Sequence, residues 1–161
     1  MLRILIGLSL IFVFIFSACA PDPSENWMEH NLIGEGVPLK VLGPDDLEVK
    51  VSQLGTMQDI TLKGSDDYSL QVFGMDVQTT NIEELVEEQK DMVREEAYFE
   101  KIEEEWAEGF IYSLQIDSAA LDYDFRQLRL KGDKVYIFQC GILGRNSKEK
   151  VDRLVKAVRK N

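Results

Sequence analysis

The chain has 161 residues, about one domain's worth, and 45% of them are hydrophobic, enough for a packed core. Its 29 Asp and Glu residues outnumber its 18 Lys and Arg residues, and the resulting net charge of −11 repels nucleic-acid phosphates. Two cysteines and one histidine exclude a disulfide-dense scaffold and a metal site built from several His or Cys ligands.

The first twenty residues have the pattern of a secretory signal. Arg3 supplies a positive charge, residues 4–16 form an apolar run, and the small residues Ser17 and Ala18 precede Cys19. Two other interpretations stay open. One is an uncleaved membrane helix, although the apolar run is shorter than the roughly 20 residues that span a bilayer. The other is a plain signal peptide followed by an ordinary thiol.

The sequence Phe-Ser-Ala-Cys at residues 16–19 resembles the lipobox of bacterial lipoproteins, of the kind abundant in Bacteroidota-like bacteria. The resemblance implies that a signal peptide of residues 1–18 is removed and that Cys19 becomes a lipid-carrying N-terminus. Membrane lipid would then be a partner through Cys19, since two or more acyl chains anchor a protein stably. Ala20 stands where some lipoproteins have an Asp that favours the inner membrane, which implies the outer membrane instead.

Lipidation would leave Cys140 as the one free thiol, either reactive or buried. Its place in the strand-like run Tyr136–Cys140 favours burial, because a buried free cysteine behaves as a small hydrophobe.

Residues 19–37 are expected to form the lipidated N-terminus and a tether. Proline and polar residues dominate the start of this segment, and eighteen residues of coil reach on the order of 20–25 Å. Trp27, Met28, Leu32 and Ile33 are apolar enough to dock onto the domain, so partial order is also open. His30 is expected to be solvated. A single domain is predicted over residues 38–161.

Short runs rich in β-branched and aromatic residues predict strands separated by tight turns, which favours antiparallel pairing. Turn signals lie at residues 43–46, 64–67 and 131–134. The predicted strands are residues 38–42, 47–51, 57–62, 68–77, 110–116, 121–130 and 135–140.

A long acidic helix is predicted over residues 82–108, with Thr80 or Asn81 as its N-cap. Apolar residues recur at helical spacing and continue through Phe99, Ile102 and Trp106, with a break or shift near Phe99. Twelve acidic residues face three basic ones in this span. Such a surface suits solubility, a basic partner or loosely held divalent cations.

A second, amphipathic helix is predicted at the C-terminus, capped by Asn146 or Ser147, with Val151, Leu154 and Val158 on its apolar face. Its outer face is basic. Contact with anionic lipid headgroups and pairing with the acidic helix both remain open.

These elements together predict an α+β fold: an antiparallel sheet of about six or seven strands covered by the two helices. The order resembles the PsbP-like α/β sandwich over residues 38–160, carried by Leu39–Pro44 and Phe138–Val158. That resemblance implies a non-catalytic accessory role.

The residue types favour binding over catalysis. One histidine, placed in the tether, disfavours Ser-His and Cys-His nucleophiles, and no phosphate-loop or dinucleotide motif is present. The acidic pairs Asp45/Asp46, Asp66/Asp67 and Asp122/Asp124 are expected to serve turns rather than calcium. We therefore expect no catalytic or metal-binding residues and no cofactor.

The functional expectation is a lipid-anchored, extracytoplasmic envelope protein with an accessory or binding role. An envelope protein is its expected partner besides lipid. A small-ligand or divalent-cation module and a carboxylate-based hydrolase are the alternatives.

Overall fold

A computed structural model of the chain describes residues 22–116, 120–142 and 144–159. The predicted signal peptide of residues 1–18 and the lipidation site Cys19 lie outside the described residues. Within them the strands are β1 (Met28–Asn31), β2 (Lys40–Gly43), β3 (Glu48–Leu54), β4 (Met57–Lys63), β5 (Ser69–Asp76), β6 (Phe99–Trp106), β7 (Gly109–Leu114), β8 (Asp122–Lys131) and β9 (Lys134–Cys140). The helices are α1 (Ile82–Arg94) and α2 (Lys148–Arg159), and two short 3-10 helices occupy Pro23–Asn26 and Leu32–Glu35.

The predicted mixed architecture is confirmed. Seven strands form one antiparallel sheet in the order β3-β4-β5-β9-β8-β7-β6, while β1 and β2 pair separately. The predicted turn between β8 and β9 is a two-residue hairpin, in which Gly132 has the positive φ of 64° that such a turn requires.

The two helices cover opposite faces of the sheet. Along β9, Tyr136, Phe138 and Cys140 belong to one buried cluster with the apolar side of α2, and Val135 and Ile137 belong to another with α1. This alternation is the two-residue period of a strand, and it shows that the central sheet is buried on both sides. The sheet separates α2 from α1, so the basic C-terminal helix does not pair with α1. Lys148 of α2 does form an ion pair with Glu104, at 2.6 Å, in the second half of the predicted acidic segment.

Residues 22–37 are part of the fold rather than a free tether, which is the partial order that the sequence left open. Trp27 and Leu32 pack against the domain, whereas Met28 and Ile33 are exposed. β1 pairs with β2, and Leu32 and Val37 are fully buried. Trp27 packs edge-on against Tyr68, with ring centroids 4.9 Å apart. His30 is half-buried instead of solvated, with Nε2 3.3 Å from the Gly43 carbonyl oxygen.

The long acidic helix is wrong in its second half. Helix α1 begins after Asn81, whose side chain accepts hydrogen bonds from the backbone N–H groups of Glu83 and Glu84, and it ends at Arg94. Asn81 rather than Thr80 is thus the N-cap. A turn follows, in which Tyr98 has a φ of 74°, and the chain then continues as β6.

Two irregularities in the pairing of β6 with β7 explain why this strand has the apolar spacing of a helix. They lie between Phe99 and Lys101 and between Ile102 and Glu104. An extra residue turns the side chains that follow it to the other face of the sheet. Phe99 and Ile102 therefore both face α1 although they are three residues apart, whereas Trp106 packs on the α2 side.

Tyr98 provides a test of the turn that ends α1. A positive φ costs a non-glycine residue roughly 1 kcal/mol, and Tyr98 is 62% exposed, so its ring gains little by packing. We expect Tyr98→Gly to raise the free energy of unfolding by about 0.5–1 kcal/mol, measured by urea denaturation. Tyr98→Ala, which keeps the Cβ, is the control and should not stabilise. A continuous helix would give the opposite sign, since glycine weakens a helix by about 1 kcal/mol.

Candidate binding groove on the helix α1 face

An open groove of about 270 Å³ lies between α1 and the sheet. Helix α1 packs mainly against β6 and β8, and β5 meets the α1-side core at Met75. Apolar side chains dominate the lining, with two amides and one guanidinium: Met57, Phe73, Met75, Met92, Ile137, Gln89, Gln139 and Arg126. The groove therefore begins where the cover provided by the helix ends.

Three methionines and a phenylalanine make the groove apolar. Met92 is 62% exposed although it belongs to the helix that buries Leu85 and Val93. Leu54, 54% exposed and opposite Met57 in the β3–β4 pair, extends the apolar surface to the end of the hairpin. Thioether side chains are flexible and polarizable, so they adapt to apolar groups of varied shape. We name Leu54, Met57, Phe73, Met75 and Met92 the methionine groove.

Arg126 of β8 lines this groove, and its charge is already paired. The residue is 8% exposed. Its Nη1 donates to Asp124 Oδ2 at 3.0 Å, its Nη2 donates to Glu96 Oε1 at 3.3 Å, and its guanidinium lies 5.2 Å from the Tyr112 ring centre. Burial by itself lowers the pKa of Arg126, but Asp124, Tyr112 and Glu96 together outweigh it and the pKa is raised. The guanidinium thus remains charged.

Asp124 has a structural role. Its Oδ1 accepts hydrogen bonds from the backbone N–H groups of Phe125 at 2.7 Å and Cys140 at 2.8 Å, and its Oδ2 accepts from Arg126 and from the Tyr112 hydroxyl at 3.2 Å. These four bonds fill the lone-pair positions of the carboxylate and join β8 to the end of β9. The assignment of Asp124 to a turn is therefore wrong, because it lies inside a strand and in a largely buried network.

The same contacts bear on the carboxylate-hydrolase alternative. Glu96 and Asp124 both lie within 3.5 Å of the Tyr112 hydroxyl, so two carboxylates do come close together. Burial raises the pKa of Glu96. A carboxylate acting as base or nucleophile needs an oxygen free for the substrate, however, and those of Asp124 are occupied. The pair is better explained as the counter-charge of Arg126.

Asp46, Asp66 and Asp67 serve turns, as the sequence predicts. Asp46 Oδ1 accepts hydrogen bonds from both the backbone N–H and the hydroxyl of Ser65, and Asp66 and Asp67 adopt positive φ values in the turn before β5. Asp122 Oδ1 accepts from the Asn146 N–H at 2.6 Å and so fixes the segment before α2.

Two further predictions are confirmed. Cys140 is buried, and burial raises the pKa of its thiol, which keeps it unreactive. Helix α2 starts after Ser147, whose hydroxyl accepts from the Lys150 N–H, and it buries Val151, Leu154 and Val158.

The methionine groove was not predicted from the sequence. Met92 continues the apolar stripe of α1, and Phe73 and Met75 lie in a strand with apolar residues on both faces. Such a pattern indicates burial by default. Helix α1 lies mainly over β6 and β8, and this placement leaves Met92 exposed and Phe73 and Met75 half-buried beside it.

No known protein family matches this sequence, and none of the curated proteins matches it either. Among the residues that the structure describes, no group of three or more His, Cys, Asp or Glu side chains is arranged to hold a metal ion. The described helices include none with the length and apolar character needed to cross a membrane.

Asp124→Asn tests the structural role of the network. The change removes the main counter-charge of a buried guanidinium, and breaking a buried ion pair typically costs about 3–5 kcal/mol. We expect the free energy of unfolding to fall by about 3 kcal/mol, measured by chemical denaturation. The matched control is Asp91→Asn, whose side chain is 73% exposed and ion-paired to Arg94; it should change stability by less than about 0.5 kcal/mol. Equal effects of the two substitutions would contradict the assignment.

Proposed function

We propose that this chain is a lipid-anchored protein of the cell envelope, exposed outside the cytoplasm, whose domain binds a partner protein without catalysing a reaction. The lipobox-like residues 16–19 support the anchor at Cys19, and Ala20 favours the outer membrane over the inner one. The acidic composition argues against nucleic acid as the partner.

The methionine groove carries the binding part of this proposal. Its thioethers, ring and aliphatic side chains make dispersion and hydrophobic contacts but do not transfer protons. Arg126, the charged group at its lining, is held by two carboxylates. Two of its residues, Leu54 and Met92, are exposed and the other three are half-buried, and apolar side chains left accessible in this way favour an interaction site. The groove therefore suits apolar side chains presented by another protein.

The proposed PsbP-like relationship points in the same direction. An antiparallel sheet with a helix on each face is compatible with the α/β sandwich that the sequence resembles. Accessory proteins of that type act by binding, and a fold alone does not establish the function. The proposal therefore depends on the groove and on Cys19 more than on the resemblance.

Intact mass spectrometry of the protein extracted from membranes tests the anchor. We expect an N-terminus at Cys19 that carries two or three acyl chains, and we expect this modification to be absent from Cys19→Ala. An unmodified N-terminus at or near residue 19 would mean secretion without an anchor. Retention of Met1 would mean that the leader is not removed, and either result would contradict the lipoprotein proposal.

Crosslinking in living cells tests the groove. A photoreactive amino acid at Leu54 should give one discrete protein adduct, and Met92→Glu should abolish it because a charged group then lies among apolar contacts. The matched control is Ile33→Glu, an apolar residue of equal exposure (63% against 62%) outside the groove, which should leave the adduct intact.

Two outcomes would contradict the partner-binding role. One is the absence of any discrete adduct in the parent protein. The other is an adduct that survives Met92→Glu, because the contact would then lie outside the methionine groove.

A further inference from the structure

A second and larger groove, of about 670 Å³, lies on the opposite side of the sheet. It runs between the first described residues, Asp22 to Trp27, and helix α2. The helix contributes Arg153, Lys156 and Arg159, and the N-terminal segment contributes Asp22, Glu25 and Trp27. We name it the basic groove.

The start of the described chain is fixed to this groove. Asp22 Oδ1 accepts hydrogen bonds from the backbone N–H of Ser24 at 3.0 Å and from its hydroxyl at 2.8 Å, and it lies 3.9 Å from Arg153 Nε. Trp27 packs against the α2-side core. The entry point of the chain is therefore a defined place on the surface of the domain.

The position of Asp22 limits how far the domain can stand from an anchor at Cys19. Two residues stand between the two positions, so three steps along the chain join them, and a fully extended chain covers at most about 3.3–3.6 Å per step. Asp22 then lies within roughly 11 Å of the lipid-bearing cysteine, about half the reach expected for an eighteen-residue tether. A site this close to the acyl chains lies at the headgroup layer of the bilayer.

The charges near this entry point suit an anionic membrane surface. Lys156 and Arg159 are exposed, and within the described residues neither forms an ion pair with a carboxylate. The Arg159 guanidinium instead lies 4.7 Å from the centre of the Trp106 ring. Asp22 and Glu25 offset part of the positive charge of the groove, but α2 as a whole has five basic residues against two acidic ones.

Part of the acidic excess of the chain lies on helix α1. Helix α1, on the other face of the sheet, has five acidic residues against two basic ones. With α2 towards the membrane, the strongly acidic helix is directed away from it. The opposite orientation would bring like charges together.

From this geometry we propose that the basic groove rests on the membrane and binds the phosphate headgroups of anionic lipids through Lys156, Arg159 and Arg153. The inference rests on the proposed lipidation of Cys19. It adds a fixed orientation: the α2 face contacts the bilayer, and the methionine groove on the α1 face is directed towards the periplasmic or external medium.

The fluorescence of the two tryptophans of the chain provides a native probe of the groove. Trp27 lines the groove, and the ring of Trp106 packs against the guanidinium of Arg159. The lipoprotein is reconstituted into vesicles of phosphatidylcholine alone or mixed equally with phosphatidylglycerol, and quenching of its fluorescence by acrylamide is measured. We expect weaker quenching in the anionic vesicles. This protection should disappear in about 1 M salt, because the Debye length is then only about 3 Å and the attraction between the groove and the lipid charges is screened.

Charge reversal at the groove should remove the effect. Lys156→Glu/Arg159→Glu should abolish the difference in quenching between the two vesicle types. For each variant, quenching in the anionic vesicles is compared with quenching of the same variant in phosphatidylcholine vesicles. The matched control is Lys50→Glu/Lys63→Glu, which makes the same charge change at exposed positions on the α1 side of the sheet and should keep the difference.

The mass of the N-terminus, determined on the same sample, separates the two proposals. A lipidated protein whose tryptophans are quenched equally in both vesicle types overturns the orientation and leaves the anchor standing. A protein without lipid overturns both proposals. Protection by inorganic phosphate in neutral vesicles would assign the groove to a small anion and overturn the membrane contact.

Discussion

The burial of strands β8 and β9 on both faces is the constraint on which the rest of the structure depends. Each strand directs alternate side chains into two separate cores, one beneath each helix. A strand in this position tolerates neither an unpaired charge nor a shift in register. The one guanidinium buried there, Arg126, is accordingly neutralised by Asp124 and Glu96. Asp124 also accepts a hydrogen bond from the backbone N–H of Cys140, so a single carboxylate both neutralises the Arg126 guanidinium and holds the end of β9.

The two faces that result have different chemistry. Helix α1 is acidic and borders an apolar groove on its face, whereas helix α2 is basic and lies beside the N-terminal segment. A sheet that separates them allows two surfaces of different character to coexist without neutralising each other. The proposed anchor and the proposed partner site use opposite sides of the same domain, so lipid and protein can be bound at once.

The sequence predicted the local elements where pattern and turn chemistry agree. Seven predicted strands, the hairpin at Gly132 and the helix after Ser147 are present within a few residues of their predicted bounds. The prediction failed at residues 95–108, where Phe99, Ile102 and Trp106 have helical spacing. Pairing with β7 supplies the backbone hydrogen bonds of that segment, and two irregularities distribute its side chains over both faces. A local pattern contains no information about such pairing.

What the sequence determined by itself is therefore the composition of the molecule, its antiparallel α+β class and the burial of Cys140, whereas the secretory leader and the lipid anchor at Cys19 stay predictions. These depend on short-range signals: apolar period, turn residues and a contiguous motif. The tertiary structure decided which face each helix covers, that Asp124 serves a buried arginine, that Met92 stays open and that Asp22 is held beside α2. Each of these depends on residues that are far apart in the chain, and only the order of strands in the sheet brings them together.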